Sequence, residues 1–292
     1  MCLSAGAACI AFAPVFVRWS EVGPIATAFY RLALALPWLM AWNVGPQKPR
    51  LSLRRDWVLI SSGLFFGADL AVWHWSIQLT TVANSVLLAN FAPVFVVLGG
   101  WLIWRRTVSR SFLGAIAIVL VGICLLARAS FAVSPQQVLG DALGLLTALF
   151  YGGYILAVSQ LRRRYSTRIV ALSSSLVGAI ALGFVSLGTG EPLIPASGLG
   201  WLNLFGLAFL SQVLGQSLIT QALADLPPAF SSVGLMLQPA LATLLAWALF
   251  QEALSPIQGA GAVLVLMGIT WARRLSVDAQ DNTERVQERS CG

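Results

Sequence analysis

The chain has 292 residues, of which 58% are hydrophobic and only 10% are charged. A soluble domain carries about 25% charged residues, so this composition excludes an ordinary soluble protein and indicates a chain that crosses a membrane several times. The formal net charge of +7 could indicate nucleic-acid binding. The basic residues instead sit in short loops between apolar runs, as signals of membrane topology do, so we expect no nucleic-acid partner.

Ten apolar segments follow one another along the chain, each near the roughly 20 residues that a helix needs to cross a bilayer. The connections between them are short, and the first segment lacks the basic residues that open a signal peptide. The sequence therefore predicts an all-α integral membrane protein with ten transmembrane helices. Their predicted ranges are residues 2–19, 23–42, 57–78, 83–104, 109–127, 139–160, 168–187, 200–223, 229–250 and 256–272.

The basic residues are distributed unevenly between the two sides of this predicted bundle. If the N-terminus lies in the cytoplasm, nearly all of the 18 lysines and arginines fall in cytoplasmic connections or in the tail. Arg18 and Arg128 fall outside. Such an asymmetry is the usual signature of topology in membrane proteins. We therefore expect a multi-pass protein of the bacterial inner membrane with both termini in the cytoplasm, and residues 275–292 as a disordered polar tail.

One stretch of the chain occurs twice. The segment Ser85–Trp101, SVLLANFAPVFVVLGGW, recurs as Ser231–Trp247, SSVGLMLQPALATLLAW, with serine, proline and tryptophan at the same spacing. Because each copy belongs to a set of five predicted helices, and five is odd, the second copy is inserted upside down. The sequence therefore predicts two inverted five-helix repeats, over residues 1–127 and 139–274.

The two repeated prolines, Pro93 and Pro239, lie deep inside apolar runs. Proline has no backbone N–H and clashes with the carbonyl one turn earlier, so it breaks a helix. In a membrane such a break persists only where protein or water satisfies the freed carbonyl. Inverted repeats of broken helices around a site at the membrane midplane are typical of secondary transporters.

Two charged residues fall inside predicted spans, Arg31 in the second and Asp69 in the third. An intramembrane charge is costly and indicates a functional site by default. Arg31 is either a structural residue or a substrate contact. Asp69 either pairs with Arg31, which would lower the cost of burying both charges, or titrates as a proton site.

Polar and aromatic side chains in the other predicted spans are candidates for the wall of a cavity. His74, the one histidine of the chain, is flanked by tryptophans in WHWSIQ. Gln212, Gln216 and Thr220 are spaced by four residues, so in an α-helix they share one face. Each of these features is also compatible with ordinary helix packing. The predicted substrate contacts are Trp73, His74, Gln78, Asn84, Asn90, Tyr151, Tyr154, Gln212 and Gln216.

The sequence shows no constellation that would carry catalysis. The spacing of the four cysteines does not match a metal site or a redox motif. The sequence also shows no paired carboxylates and no phosphate-binding glycine loop. We therefore expect a protein that is not an enzyme and that needs no cofactor or metal. A membrane enzyme or a purely structural membrane protein is the rival class, and the repeated helix breaks argue against the second of these.

The repeated motif resembles the drug/metabolite transporter superfamily, in its ten-helix EamA-type branch. The resemblance rests on ANSVLLANFAPVFVVLGGWLIW and its second copy AFSSVGLMLQPALATLLAWALFQE, on Arg31 in AFYRLALA, and on Glu252 after the second copy. The first copy departs from the family, because Arg106 stands where the second has Glu252. The chain is similar in length and topology to the YddG-like amino acid exporters of this branch.

This resemblance implies a secondary transporter that exports amino acids and related metabolites by alternating access. Hydrophobic and aromatic amino acids are the favoured cargo, with a multidrug or other small-metabolite exporter of the same superfamily as the alternative. The expected partners are the small-molecule substrate and the lipid bilayer. The sequence leaves open whether a proton gradient drives transport and whether the protein forms oligomers.

Overall fold

The computed structural model describes residues 2–42, 57–80, 82–105, 108–127, 134–238, 240–241, 256–257, 259–261, 263–272 and 274–275. Within these residues every regular element is helical and no strand is present, which confirms the predicted all-α class. Five helices are long and apolar enough to cross a membrane by length and composition, namely Pro24–Trp42, Trp57–Leu79, Pro135–Leu161, Thr167–Thr189 and Gly198–Ala222.

Shorter apolar helices lie between and beside these five, among them Cys2–Arg18, Ala92–Trp104 and Arg110–Leu125. The described helices overlap the predicted ranges, whereas the crossing of a membrane by all ten, and their arrangement as inverted repeats, stay predictions. The individual elements are α1 Cys2–Ala11, α2 Ala13–Arg18, α3 Pro24–Ala33, α4 Leu36–Trp42, α5 Trp57–Leu79, α6 Val82–Ala89, α7 Ala92–Trp104, α8 Arg110–Ala127, α9 Pro135–Leu161, α10 Thr167–Thr189, α11 Gly198–Gly206, the π-helical segment Leu207–Gln216, α12 Ser217–Ala222 and α13 Pro228–Leu235.

Proline explains where the interrupted helices break. Pro14, Pro37 and Pro93 are each the second residue of α2, α4 and α7, and each lacks the N–H that would continue the preceding helix. At the last of these breaks the Phe91 N–H donates to the Leu88 carbonyl at 3.1 Å, which is the tighter bond of a 3₁₀ turn. Pro239, the repeated counterpart of Pro93, lies outside the described residues.

Small residues allow the long helices to approach closely. Among the described helices the most extensive packing joins α5 to α9, and α10 packs on both α5 and α3. A Cβ atom added at Gly67 would lie 3.2 Å from the Cα of Gly178, and one added at Gly178 would lie 2.7 Å from a side-chain carbon of Leu32. Because lipid supplies no hydrophobic force between helices, such close backbone contact is a main source of their association.

Two glutamates link the loop before α3 to the segment before α11, because each accepts hydrogen bonds from the other segment. Glu191 accepts hydrogen bonds from the backbone N–H groups of Ile25 at 2.9 Å and Ala26 at 3.2 Å, at the start of α3. Glu21 in turn accepts from the backbone N–H of Ser197 at 2.9 Å and from its hydroxyl at 2.5 Å, and Ser197 caps α11. A carboxylate is favoured at a helix N-terminus, so these crossed caps, Glu21 with Ser197 and Glu191 with α3, hold two loops together.

Replacing Gly178 by leucine should destabilise the protein by about 1–3 kcal/mol, because the added side chain overpacks the contact with α3 and α5. Gly188 lies on the same helix with no atom within 4 Å of an added Cβ, so Gly188→Leu is the matched control and should leave stability near that of the wild type. Thermal unfolding of the purified proteins in detergent checks the pair. Equal losses in both variants would contradict the packing described for α10.

The cap formed by Glu21 should weaken in acid. The hydroxyl and backbone N–H of Ser197 hold the pKa of Glu21 below its ordinary value of 4.5. A lowered folded-state pKa means that the stabilisation is present above the unfolded-state pKa and is lost as the pH falls through the folded one. Glu21→Gln should therefore lower the melting temperature near neutral pH, and its difference from the wild type should shrink below about pH 4.

The pH dependence of thermal unfolding, measured for the wild type, Glu21→Gln and Ser197→Ala, tests this cap. Ser197→Ala removes the hydroxyl donor and keeps the backbone N–H donor. It should therefore also reduce the part of the stability that is lost in acid. A difference between Glu21→Gln and the wild type that stays constant from neutral to acid pH would refute the assignment.

Candidate functional site

A cavity lies among the described helices. Its walls come from the α1–α2 junction, α3, α5, the α6–α7 break, α9, the end of the π-helical segment, and α13 with the residues that follow it. Its polar lining residues are Arg31, Asp69, Asn90, Thr147, Tyr151, Gln216, Ser232 and Gln238. Its apolar lining residues are Ile10, Ala11, Pro14, Phe66, Leu70, Trp73, Val86, Ala89, Ala92, Pro93 and Leu235.

The two intramembrane charges, Arg31 and Asp69, both line this cavity and are both buried. They interact electrostatically, yet no nitrogen–oxygen distance between them is 4.0 Å or less, so they form no direct ion pair. The Nε atom of Arg31 is buried and makes no hydrogen bond to any described residue. A guanidinium and a carboxylate thus share one cavity while keeping a gap between them.

Aromatic rings form the wall next to the charges. Tyr154 is fully buried and stacks on Phe66 with 4.6 Å between ring centroids, and on Tyr151 with 6.1 Å. The side-chain amide of Gln216 donates to the Tyr154 hydroxyl at 3.2 Å. Tyr154 therefore lies behind the cavity, where it positions Tyr151 and Gln216, which line it.

The break between α6 and α7 brings backbone and amide groups to the wall of the cavity. Asn90 lies in the break, lines the cavity, and donates from its side chain to the Val86 carbonyl at 2.6 Å. Pro93 cannot donate to the carbonyl of Ala89 one turn earlier. The helix restarts with the Val94 N–H bonded to the Phe91 carbonyl at 2.9 Å, so the irregular backbone coincides with the cavity wall.

Several residues proposed from the sequence lie away from this cavity. His74 is buried, and its Nδ1 atom lies 2.9 Å from the Pro24 carbonyl, which ties α5 to the start of α3. Gln78 is exposed on the outside of α5. Gln212 donates to the Ser175 hydroxyl at 2.9 Å and so bonds to α10. The side chain of Asn84 lies outside the described part of the chain.

Gln212 and Gln216 lie four residues apart in the π-helical segment Leu207–Gln216, but they make different contacts. Gln216 lines the cavity, whereas Gln212 donates to the Ser175 hydroxyl on α10. The third member of the predicted stripe, Thr220, donates to the Gln216 carbonyl at 2.8 Å.

The cavity also includes Thr147, which the sequence did not single out as a contact. Thr147 lines it together with Tyr151, and the two are one helical turn apart on α9. A lone polar residue four positions before a candidate aromatic was the available signal. Gln238, an amide residue that precedes Pro239 in the sequence, also lines the cavity, and its side-chain nitrogen is buried without a partner among the described residues.

Comparison with known proteins gives one family and several distant relatives. Residues 1–128 and 138–274 match the model of the EamA-like transporter family. An uncharacterized transporter of Archaeoglobus fulgidus is 26% identical over 85% of this chain and 87% of its own length. The pseudopaline exporter CntI of Pseudomonas aeruginosa is 23% identical over 72% of each chain.

An uncharacterized transporter of Helicobacter pylori is 23% identical over 75% of each chain. A solved crystal structure aligns with 95% of this chain and 96% of its own, with a TM-score of 0.77 and 17% identity. At that identity the structural likeness establishes a shared fold alone.

The divergence of Gln212 and Gln216 can be tested by their access to water. In a chain whose four cysteines are replaced by serine, Gln216→Cys should react readily with a small charged thiol reagent, because a thiolate needs a hydrated, accessible site. Gln212→Cys is the matched control and should react much more slowly. Mass spectrometry of the purified protein after timed exposure measures both rates. Similar rates at the two positions would contradict the difference in their access to the cavity.

Proposed function

Because the chain belongs to the EamA-like transporter family, we propose that it exports amino acids, with hydrophobic and aromatic ones favoured, by alternating access. It is a multi-pass membrane transporter, as the family and the long apolar helices indicate. In the proposed arrangement ten helices cross the inner membrane as two inverted repeats, over residues 1–127 and 139–274. Both termini and the segment 275–292 lie in the cytoplasm.

The observation that carries this proposal is the cavity, since both segments that match the family contribute to its walls. Arg31, Asp69 and Asn90 come from the first matched segment, and Tyr151 and Gln216 come from the second. In transporters built from repeats, the substrate site lies at the interface between the repeats. A site shared in this way can open to either side as the two halves change their packing.

The lining of the cavity supports an amino acid as cargo. Phe66, Trp73 and Tyr151 offer rings against which an apolar or aromatic side chain can pack. The opposite charges of Arg31 and Asp69 and the neighbouring amides can bind the polar end of such a molecule.

The names of the relatives support export as the activity. One relative is a pseudopaline exporter and the others are uncharacterized transporters, and none of these names points to an enzyme. A cationic drug is the second candidate cargo, because Asp69 is an acid that lines the cavity. The presence of Arg31 in the same cavity works against a cation and favours a molecule without net positive charge.

Purified protein reconstituted in liposomes should carry labelled leucine, phenylalanine or threonine faster than empty vesicles do, with and without a pH gradient. Ala89 lines the cavity, so Ala89→Trp should fill the path and reduce the rate of transport strongly. Leu102 lies on the outer surface with 75% of its area exposed, so Leu102→Trp is the matched control and should keep the wild-type rate.

Two outcomes would contradict the proposal. The first is that no amino acid in the panel is carried above the empty-vesicle background. The second is that Ala89→Trp transports as fast as Leu102→Trp, since the cavity would then lie off the transport path. A cationic dye carried in place of every amino acid would favour the drug exporter.

A further inference from the structure

The described part of the cavity holds two buried hydrogen-bond donors without partners. The Nε atom of Arg31 and the side-chain nitrogen of Gln238 each lack a bond to any described residue, and both residues line the cavity. A buried donor without an acceptor is unfavourable, and more so when it carries charge. A carboxylate is the acceptor that suits a guanidinium best, because its two oxygens match the guanidinium fork.

An acceptor without a protein donor faces the same cavity. Asp69 lines it and is buried, and no described side chain or backbone N–H lies within hydrogen-bond distance of its carboxylate. A buried carboxylate is stabilised by a cation that also donates hydrogen bonds. An ammonium group meets both needs.

The separation of the two charges sets a condition on the ligand. Arg31 and Asp69 interact electrostatically but stand too far apart for a direct ion pair. A molecule with one carboxylate and one ammonium can satisfy both at once. An amine without a carboxylate would leave Arg31 unpaired, and an acid without an amine would leave Asp69 unpaired, so each is disfavoured by one buried charge.

We infer that the cavity selects zwitterions, with Arg31 and Gln238 binding the carboxylate and Asp69 binding the ammonium. Trp73 and Tyr151, which also line the cavity, then take the side chain. This inference rests on the proposed function and deepens it, because it assigns the charge of the cargo to three specificity-determining residues. It separates amino acids from the amines and organic acids that share their side chains.

The test compares three ligands with one side chain, which are phenylalanine, phenethylamine and 3-phenylpropionate. Binding of labelled phenylalanine to purified full-length protein in detergent is competed with each unlabelled compound. The wild type should bind phenylalanine on the order of 100-fold more tightly than either analogue, because each analogue leaves one buried polar group unpaired. Leucine, isoamylamine and 4-methylpentanoate form an equivalent set if leucine is carried faster.

Variants then assign each charge to its residue. Asp69→Asn should shift the preference toward 3-phenylpropionate, and Arg31→Gln should shift it toward phenethylamine. Gln238→Leu should weaken phenylalanine and 3-phenylpropionate together and leave phenethylamine unchanged. Glu21→Gln also converts an acid to an amide, but outside the cavity, so it should keep the wild-type order.

The preference is a ratio of affinities within one sample, so a smaller folded fraction in a variant does not change it. Equal competition by all three compounds in the wild type would overturn the inference while leaving amino acid export intact. Unchanged ratios in both Asp69→Asn and Arg31→Gln would also overturn it. If the wild type neither binds nor carries any amino acid, the proposed function itself fails and the inference fails with it.

Discussion

The structure depends on how two opposite charges are kept buried without touching. Arg31 and Asp69 sit on neighbouring spanning helices, where an isolated charge is expensive and a direct ion pair would be the simplest remedy. Both side chains line the cavity instead, and they make no direct ion pair. The packing of α10 on α3 and α5 holds the two helices that carry them. The position of the cavity therefore depends on this packing as well as on its lining.

Two stretches of irregular backbone among the described residues meet the cavity. The α6–α7 break brings Asn90, Ala92 and Pro93 to its lining, and the π-helical segment ends at Gln216, which also lines it. Non-helical backbone at membrane depth is tolerated only where protein or water satisfies its polar groups. Each of the two stretches also brings an amide side chain to the cavity, Asn90 in one and Gln216 in the other.

The all-helical class and the long apolar helices could be predicted from the sequence, because apolar runs of spanning length are visible in the order of the residues alone. The cavity residues Arg31, Asp69 and Asn90 could also be proposed, since a charge or an amide in an apolar run is conspicuous. The division between Gln212 and Gln216 could not, because it depends on Ser175 in α10, a neighbour that the spacing within one helix does not reveal. The positions of His74 and Tyr154 could not be predicted either. The Pro24 carbonyl of α3 contacts His74, and the Phe66 ring of α5 stacks on Tyr154, so each position depends on another helix.

The dominance of the α5–α9 contact has a consequence for how the protein is made. The two helices belong to different halves of the chain, so α5 enters the membrane before its main packing partner has been synthesised. At about 5–20 residues per second, the roughly 80 residues between the end of α5 and the end of α9 take on the order of ten seconds to translate. During that interval Asp69 is held in a half-built bundle. The nascent first half must therefore be sheltered by lipid, the insertion machinery or its own helices until the second half arrives.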